Sequence, residues 1–260
     1  MRIKLVVSYD GTDFCGWAPQ LGLRTVQGTL TEAVRRVSGE ENEIVGASRT
    51  DSGAHSKGQT CHFDTESGVP SDRWARILNR QLPCDMTVVS SEEVKPDFHS
   101  RFSAVDRYYR YRILVGPNDP MRSRYVHLYG RPLNVPLMDE AGQRLQGDHD
   151  FLAFTEELDE SVQNTRRTLF QVKVSQTRDE VWVDVVGTAF LRGMMRRIAG
   201  ALLEVGRGHR PVEEVSRLLT SEGQSQLQWP VVLPAAGLCL MRVRYGRHPR
   251  DHRIASDDSG

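Results

Sequence analysis

The chain has 260 residues, 38% hydrophobic and 26% charged, with 34 basic side chains against 34 acidic ones. That length holds one large domain or two modest ones, and the composition excludes wholesale disorder. A formal net charge of zero excludes a protein that coats nucleic acid indiscriminately, but not one with a local basic groove. Ile3, Leu5, Val7 and Tyr9 alternate with polar neighbours, the period of a half-buried strand, and Asp10-Gly11 ends it with turn chemistry. The opening MRIKLVVSYDG therefore reads as a strand and not as a signal peptide. Thr25 is placed to cap a helix with Val26, Leu30, Val34 and Val37 on one side. Residues 43–47 and 59–64 read as strands flanking a loop. Ser71 opens a helix carrying Trp74, Ile77, Leu78 and Leu82, stopped by Pro83, and 86–89 reads as another strand. Strand, helix, strand, strand, helix, strand is a ferredoxin-like order.

The second half repeats that grammar loosely. Residues 108–115 form a strand with Tyr109, Tyr111 and Ile113 on one face and Arg110, Arg112 and Leu114 on the other. A helix over 137–145 follows, then Gly147-Asp148-His149 and a short helical stretch, 150–154. Residues 168–177 and 181–187 read as a hairpin joined at 178–180. A long helix is expected from about 189 to 205, ended by Gly206 and Gly208, and Pro211 starts another as its first residue. Residues 238–245 read as a closing strand. The fold class is α+β in two similar halves, 1–105 and 106–247, with 248–260 as a disordered tail.

No apolar run approaches the roughly 18 residues that a membrane helix needs. Cys15, Cys61, Cys84 and Cys239 form no CxxC pair, which argues against a zinc site or a disulfide framework. They read as reduced thiols of a cytoplasmic protein. Charge is unevenly spread. Seven arginines (101, 107, 110, 112, 122, 124 and 131) stand between residues 101 and 131, against Asp106 and Asp119 alone. A second cluster holds Arg192, Arg196, Arg197, Arg207 and Arg210, while acid gathers at 40–43, 92–93, 156–160 and 257–258. Arginine-rich clusters suit phosphate contacts and base stacking, and a solvated charged surface is the plainer alternative.

The loop between 47 and 59 carries the candidate reaction centre. Asp51 follows Arg49 and Thr50 and precedes Ser52 and Gly53, so short side chains leave a carboxylate on an open turn with a cation close in sequence. An aspartate that hydrogen-bonds its own turn is the plainer reading. An arginine within about 4–6 Å would favour the ionised form. Asp51, His55, His62 and Asp64 could be drawn as metal ligands, but they make no standard ligand motif, and His55 reads as a loop-ordering residue. On the expected long helix, Phe190, Met194, Ile198 and Leu202 form an apolar stripe, with Arg192 and Arg196 pointing together away from it.

Four blocks in this order, YDGTDFCGW (9–17), RTDSGAHSKGQTCHFDT (49–65), RFSAVDRYYRYRIL (101–114) and FLRGMMRRIAGALLEVGRG (190–208), resemble tRNA pseudouridine synthases of the TruA type. GLCLMRVRY (237–245) is a weaker fifth, and the likeness spans nearly the whole chain. The resemblance implies two α+β domains whose sheets join across a pseudo-twofold, with helices on one side and an RNA-binding cleft on the other. It implies a homodimer that isomerises uridine at positions 38, 39 and 40 of the tRNA anticodon arm, with no metal or other cofactor. By that likeness Asp51 is the catalytic carboxylate and Arg49 helps extrude the uridine and fills its place. Tyr109 packs on the target base, and Arg196 pairs with the carboxylate. Ser48 stands where glycine is usual, Ser52 and Ala54 where alanine and valine are usual, and Ala18-Pro19-Gln20 follows GW in place of Q-x-Q. A non-catalytic RNA-binding module and a metal-dependent phosphohydrolase are the alternative classes.

Overall fold

The computed structural model describes residues 1–155 and 164–246. The acidic run at 156–160 and the expected disordered tail, 248–260, lie outside the described residues. In chain order the elements begin β1 (Arg2–Tyr9), α1 (Val26–Ser38), β2 (Val45–Gly46), β3 (His55–Asp64), α2 (Trp74–Leu78) and β4 (Met86–Val94). There follow β5 (Ala104–Leu114), β6 (His127–Leu128), α3 (Val135–Gln143), β7 (Gly147–Asp150), β8 (Arg166–Thr177) and β9 (Glu180–Gly187). The last are α4 (Met194–Gly206), α5 (Val212–Arg217), α6 (Ser221–Gln226) and β10 (Leu238–Tyr245). No helix among the described residues is long and apolar enough to cross a membrane.

Two compact units result: Met1–Ala104 with Leu238–Tyr245, and Val105–Gly237. The closing strand β10 thus leaves the half in which the sequence reading put it. It runs parallel to β3 through Cys239↔His55 and Leu240↔Ser56. This pairing also explains why β3 begins at His55, four residues before the expected start: backbone that looked like loop has a strand to bond.

In the first unit β4 pairs with β1, β1 with β3 and β3 with β2, all antiparallel, which is the ferredoxin-like order 4-1-3-2. The alternation seen in the sequence sets the core. Ile3, Leu5, Val7 and Tyr9 are buried with Val26, Leu30 and Val34 of α1 and Trp74 and Leu78 of α2. Full burial of one such side chain contributes about 1.5–3 kcal/mol. Thr25 caps α1, its hydroxyl accepting the Gly28 N–H at 3.2 Å. Helix α2 is shorter than its apolar pattern suggests. Asn79 ends it, its amide bridging both backbone groups of Val88 at 2.9 and 2.7 Å.

In the second unit the order is β5-β9-β8-β7, with β6 beside β5, and α3 packs on β8 and α4. Strand β7 was not among the expected elements; Gly147–Asp150 pair with β8. Helix α4 begins at Met194, not near residue 189, because Gly193 precedes it in the left-handed region, at φ 69°. Phe190 and Arg192 therefore lie before the helix, and the expected four-residue spacing of Arg192 and Arg196 on one helical face does not arise. Pro211 sits at the cap of α5 and not as its first helical residue.

Candidate active site

Asp51 lies on the loop that joins β2 to β3, half-buried, with Arg49 exposed two residues earlier and Thr50 buried between them. The turn after it is closed by backbone: the Asp51 carbonyl accepts the Ala54 N–H at 3.1 Å, with Gly53 at φ 80°. The fold of the turn therefore rests on the main chain of Asp51.

Residues 9–17, the first motif block, cradle this loop. The Tyr9 hydroxyl meets the Thr50 hydroxyl at 2.8 Å, and Trp17 N–H donates to the Thr50 carbonyl at 3.1 Å. Gly53 N–H and the Ser52 hydroxyl both donate to the Phe14 carbonyl, at 3.2 and 3.3 Å. Two glycines make the approach possible. A Cβ on Gly11 would stand 1.9 Å from the Ala54 oxygen, and one on Gly16, at φ +81°, 2.9 Å from the Thr50 oxygen. Sequence reasoning marked this block as a motif but gave it no role; the paired glycines were the available signal.

The loop is fastened at both ends. At its start, the Gln59 amide donates to the Ser48 carbonyl at 2.7 Å and accepts the Ser48 N–H at 3.3 Å. This ordinary serine is held without the usual glycine. At the far end, Gly11 N–H donates to His55 Nδ1 at 3.0 Å, which puts the proton of a neutral ring on Nε2. Asp10 Oδ1 also lies 3.2 Å from that nitrogen, but it already accepts the N–H and hydroxyl of Thr12 at 3.0 and 2.5 Å. His55 thus orders the foot of the loop.

Tyr109 and Arg196 belong to the second unit. Tyr109, 4% exposed on β5, is met edge-on by Phe190, ring centroids 4.8 Å apart at 70°. Neighbouring Tyr111 is fixed differently, its hydroxyl donating to the Pro234 carbonyl at 2.6 Å. Arg196, half-buried on α4, donates Nε–H to the Leu233 carbonyl at 2.6 Å, and Arg197 donates to the Pro230 carbonyl at 2.5 Å. The strap 230–233 therefore aligns one edge of the Arg196 guanidinium.

A family model described as tRNA pseudouridine synthase matches residues 5–103 and 141–246. The chain belongs to the tRNA pseudouridine synthase family. Curated relatives named tRNA pseudouridine synthase A agree: that of Maridesulfovibrio salexigens is 40% identical, covering 94% of this chain and 90% of the relative. Those of Brevibacillus brevis and Lactobacillus delbrueckii subsp. bulgaricus are 40% and 38% identical, over 94% and 98% of this chain and 99% and 98% of theirs. A solved Cbf5–Nop10–Gar1 complex covers 77% of this chain and 45% of its own, at TM-score 0.34 and 11% identity, too remote to support any argument.

For a synthase of this family, the arginine clusters divide in an unexpected way. Arg110 is buried and bonded to Asp184 at 2.7 Å, directly across the β5–β9 ladder, with its guanidinium 3.9 Å from the Trp182 ring centre. Tyr108 hydroxyl joins the same carboxylate at 2.9 Å. Arg112 and Arg122 converge on Glu180, which also accepts Trp182 Nε1–H at 2.7 Å. Burial alone would raise the Glu180 carboxyl, but Arg112, Trp182 and Arg122 outweigh it and hold its pKa at about 2. Buried Arg210 is likewise taken by Glu204 and Glu214, at 3.0 and 3.1 Å. These side chains are held in ion pairs, buried for Arg110 and Arg210 and partly exposed for Arg112 and Arg122. Arg101, Arg124, Arg131, Arg192 and Arg207 are the exposed members of the two clusters.

The drawn metal set also separates. Asp64 is held by a bidentate Arg2, at 2.8 and 2.6 Å. His62 is buried against Ser100, and burial, then the charge of Arg2, lowers its pKa to about 4. Among the described residues no group of three or more His, Cys, Asp or Glu could hold a metal ion.

Proposed function

We propose that the protein isomerises uridine to pseudouridine at positions 38, 39 and 40 of the tRNA anticodon stem-loop, with Asp51 as the catalytic carboxylate. Membership of the tRNA pseudouridine synthase family makes it an isomerase acting on tRNA; the target positions and the residue roles are the finer reading. The reaction cuts the glycosidic bond, turns the freed uracil and rejoins it to the ribose through carbon, so atoms and electrons balance within one nucleotide. An ionised carboxylate serves every route to this exchange, as nucleophile at sugar or base or as acceptor of a ribose proton. The observation that carries the reading is the support of the Asp51 loop: backbone closes its turn, and glycines and buried hydroxyls hold it from below. A rigid mount of this kind is what positioning a reacting group requires.

The same reading assigns Arg49, Tyr109 and Arg196 to binding the substrate. A uridine in a stem must leave its stack at a cost of about a few kcal/mol, and contact with an aromatic ring and a guanidinium offsets part of that cost. The protein works without a cofactor, as a homodimer in the cytoplasm. The test uses unmodified tRNA, with pseudouridines mapped nucleotide by nucleotide. Wild-type protein marks positions 38–40, whereas Asp51→Asn forms no product, a loss of at least about 10⁴-fold, and still binds the tRNA. Normal turnover by Asp51→Asn overturns the assignment.

A further inference from the structure

We propose that the turn 98–103 of the first unit is a base-stacking platform for the RNA substrate, with the Phe102 ring as its contact face. The inference rests on the reading that this protein acts on tRNA. Phe102 is 78% exposed, yet it is not loosely held. Its ring lies 4.4 Å from that of His99, inclined by 34°, and His99 in turn lies 5.1 Å from the buried ring of His62. The three rings form a chain of contacts, edge-to-face between His62 and His99 and tilted between His99 and Phe102, that runs from the interior to the exposed Phe102 ring.

The backbone under that face is fixed several times over. Ser103 N–H donates to the His99 carbonyl at 2.8 Å, and His99 N–H to the Ser103 hydroxyl at 3.0 Å. His99 Nδ1 accepts the N–H groups of Arg101 and Phe102, at 3.2 and 3.3 Å. Below it, the Ser100 hydroxyl donates to the Val45 carbonyl at 2.6 Å, tying the turn to β2, the strand that leads into the Asp51 loop. The Tyr245 hydroxyl donates to the Ser100 carbonyl at 2.7 Å. Most exposed apolar side chains are scattered singly and need no explanation. This one is a flat ring, already ordered, with the Arg101 guanidinium 5.8 Å from its centre. An aromatic face with a cation beside it is how proteins hold unpaired bases: the ring stacks on any base, and the cation meets the adjoining phosphate. Because the ring is ordered beforehand, little freedom remains to be lost on binding.

The experiment compares full-length wild type with Phe102→Ala, Phe102→Leu and Phe102→Trp. It measures the Kd for an unmodified tRNA transcript, kcat and KM, and molecular mass by light scattering. Alanine is expected to raise Kd and KM about 5- to 100-fold, with the effect on KM exceeding that on kcat, and tryptophan to retain wild-type affinity. Leucine, apolar but without a flat face, behaves like alanine. Melting temperatures stay within a degree or two, since the ring covers little core. Wild-type Kd in the alanine or leucine variant overturns the proposal. So does a fall in mass that accompanies the loss of affinity, which would give the ring to a second copy of the chain. A wild-type protein that binds tRNA through Phe102 but makes no pseudouridine would refute the catalytic reading and leave the platform standing.

Discussion

The Asp51 loop and the β5–β9 ladder place charge in opposite ways. On the loop, the turn that carries Asp51 is mounted on hydrogen bonds between uncharged groups: hydroxyls, main-chain amides and the Gln59 amide. On the ladder, arginine meets carboxylate, Arg110 with Asp184 in the interior and half-buried Arg112 with Glu180. The first arrangement fixes the backbone around an acid. The second sets each arginine against a carboxylate of the neighbouring strand. An arginine-rich strand is thus no measure of a phosphate site until the neighbouring strand is known, because a carboxylate opposite converts it to structure.

The sharpest way to break this comparison is to remove one acid from the ladder. Asp184→Ala strands the buried Arg110 guanidinium and takes an acceptor from Tyr108, so urea unfolding should show a loss of about 3–5 kcal/mol. The double change Arg110→Met with Asp184→Leu should recover most of that. If Asp184→Ala were instead stable and simply bound tRNA more tightly, the ladder would be an RNA surface after all. On the loop side, Gly11→Ala drives a methyl into the Ala54 carbonyl. The loop must shift, and turnover on tRNA should fall by about 10²-fold with a smaller loss of stability. An alanine variant with wild-type turnover would show that the cradle does not set the position of Asp51.

The smallest effect concerns pH. An unfolded histidine takes a proton near 6.5, whereas folded His62 does so only near about 4. Between those values the unfolded chain binds more protons, so stability is lost as pH falls from about 6.5, by roughly 2 kcal/mol at pH 5. His127, also lowered by burial, adds to the same slope. Denaturant unfolding at pH 7.5 and pH 5 measures it, and His62→Gln should flatten the dependence. An unchanged slope in that variant would assign it to other groups.

Legibility in the sequence followed how local the causes were. Strand β1 and the α1 cap could be read because a period of two and one threonine act over a few residues. The element order of the first unit was likewise open to reading. The start of α4 was not, since Phe190 and Arg192 fit a helical pattern and only the conformation of Gly193 excludes them. Nor was the assignment of β10 to the first unit, which depends on a partner more than 170 positions away.

By itself the sequence determined the α+β class, the motif blocks and the family, because short-range periodicity and residue identity carry those. It also singled out Asp51 as an acid in an unusually small-residued loop. Tertiary structure alone decided which charges cancel one another, which glycines are needed for close approach and which apolar side chain stays in water. Those outcomes depend on what stands opposite each residue across a ladder or beneath a turn, and packing brings such neighbours together from distant parts of the chain.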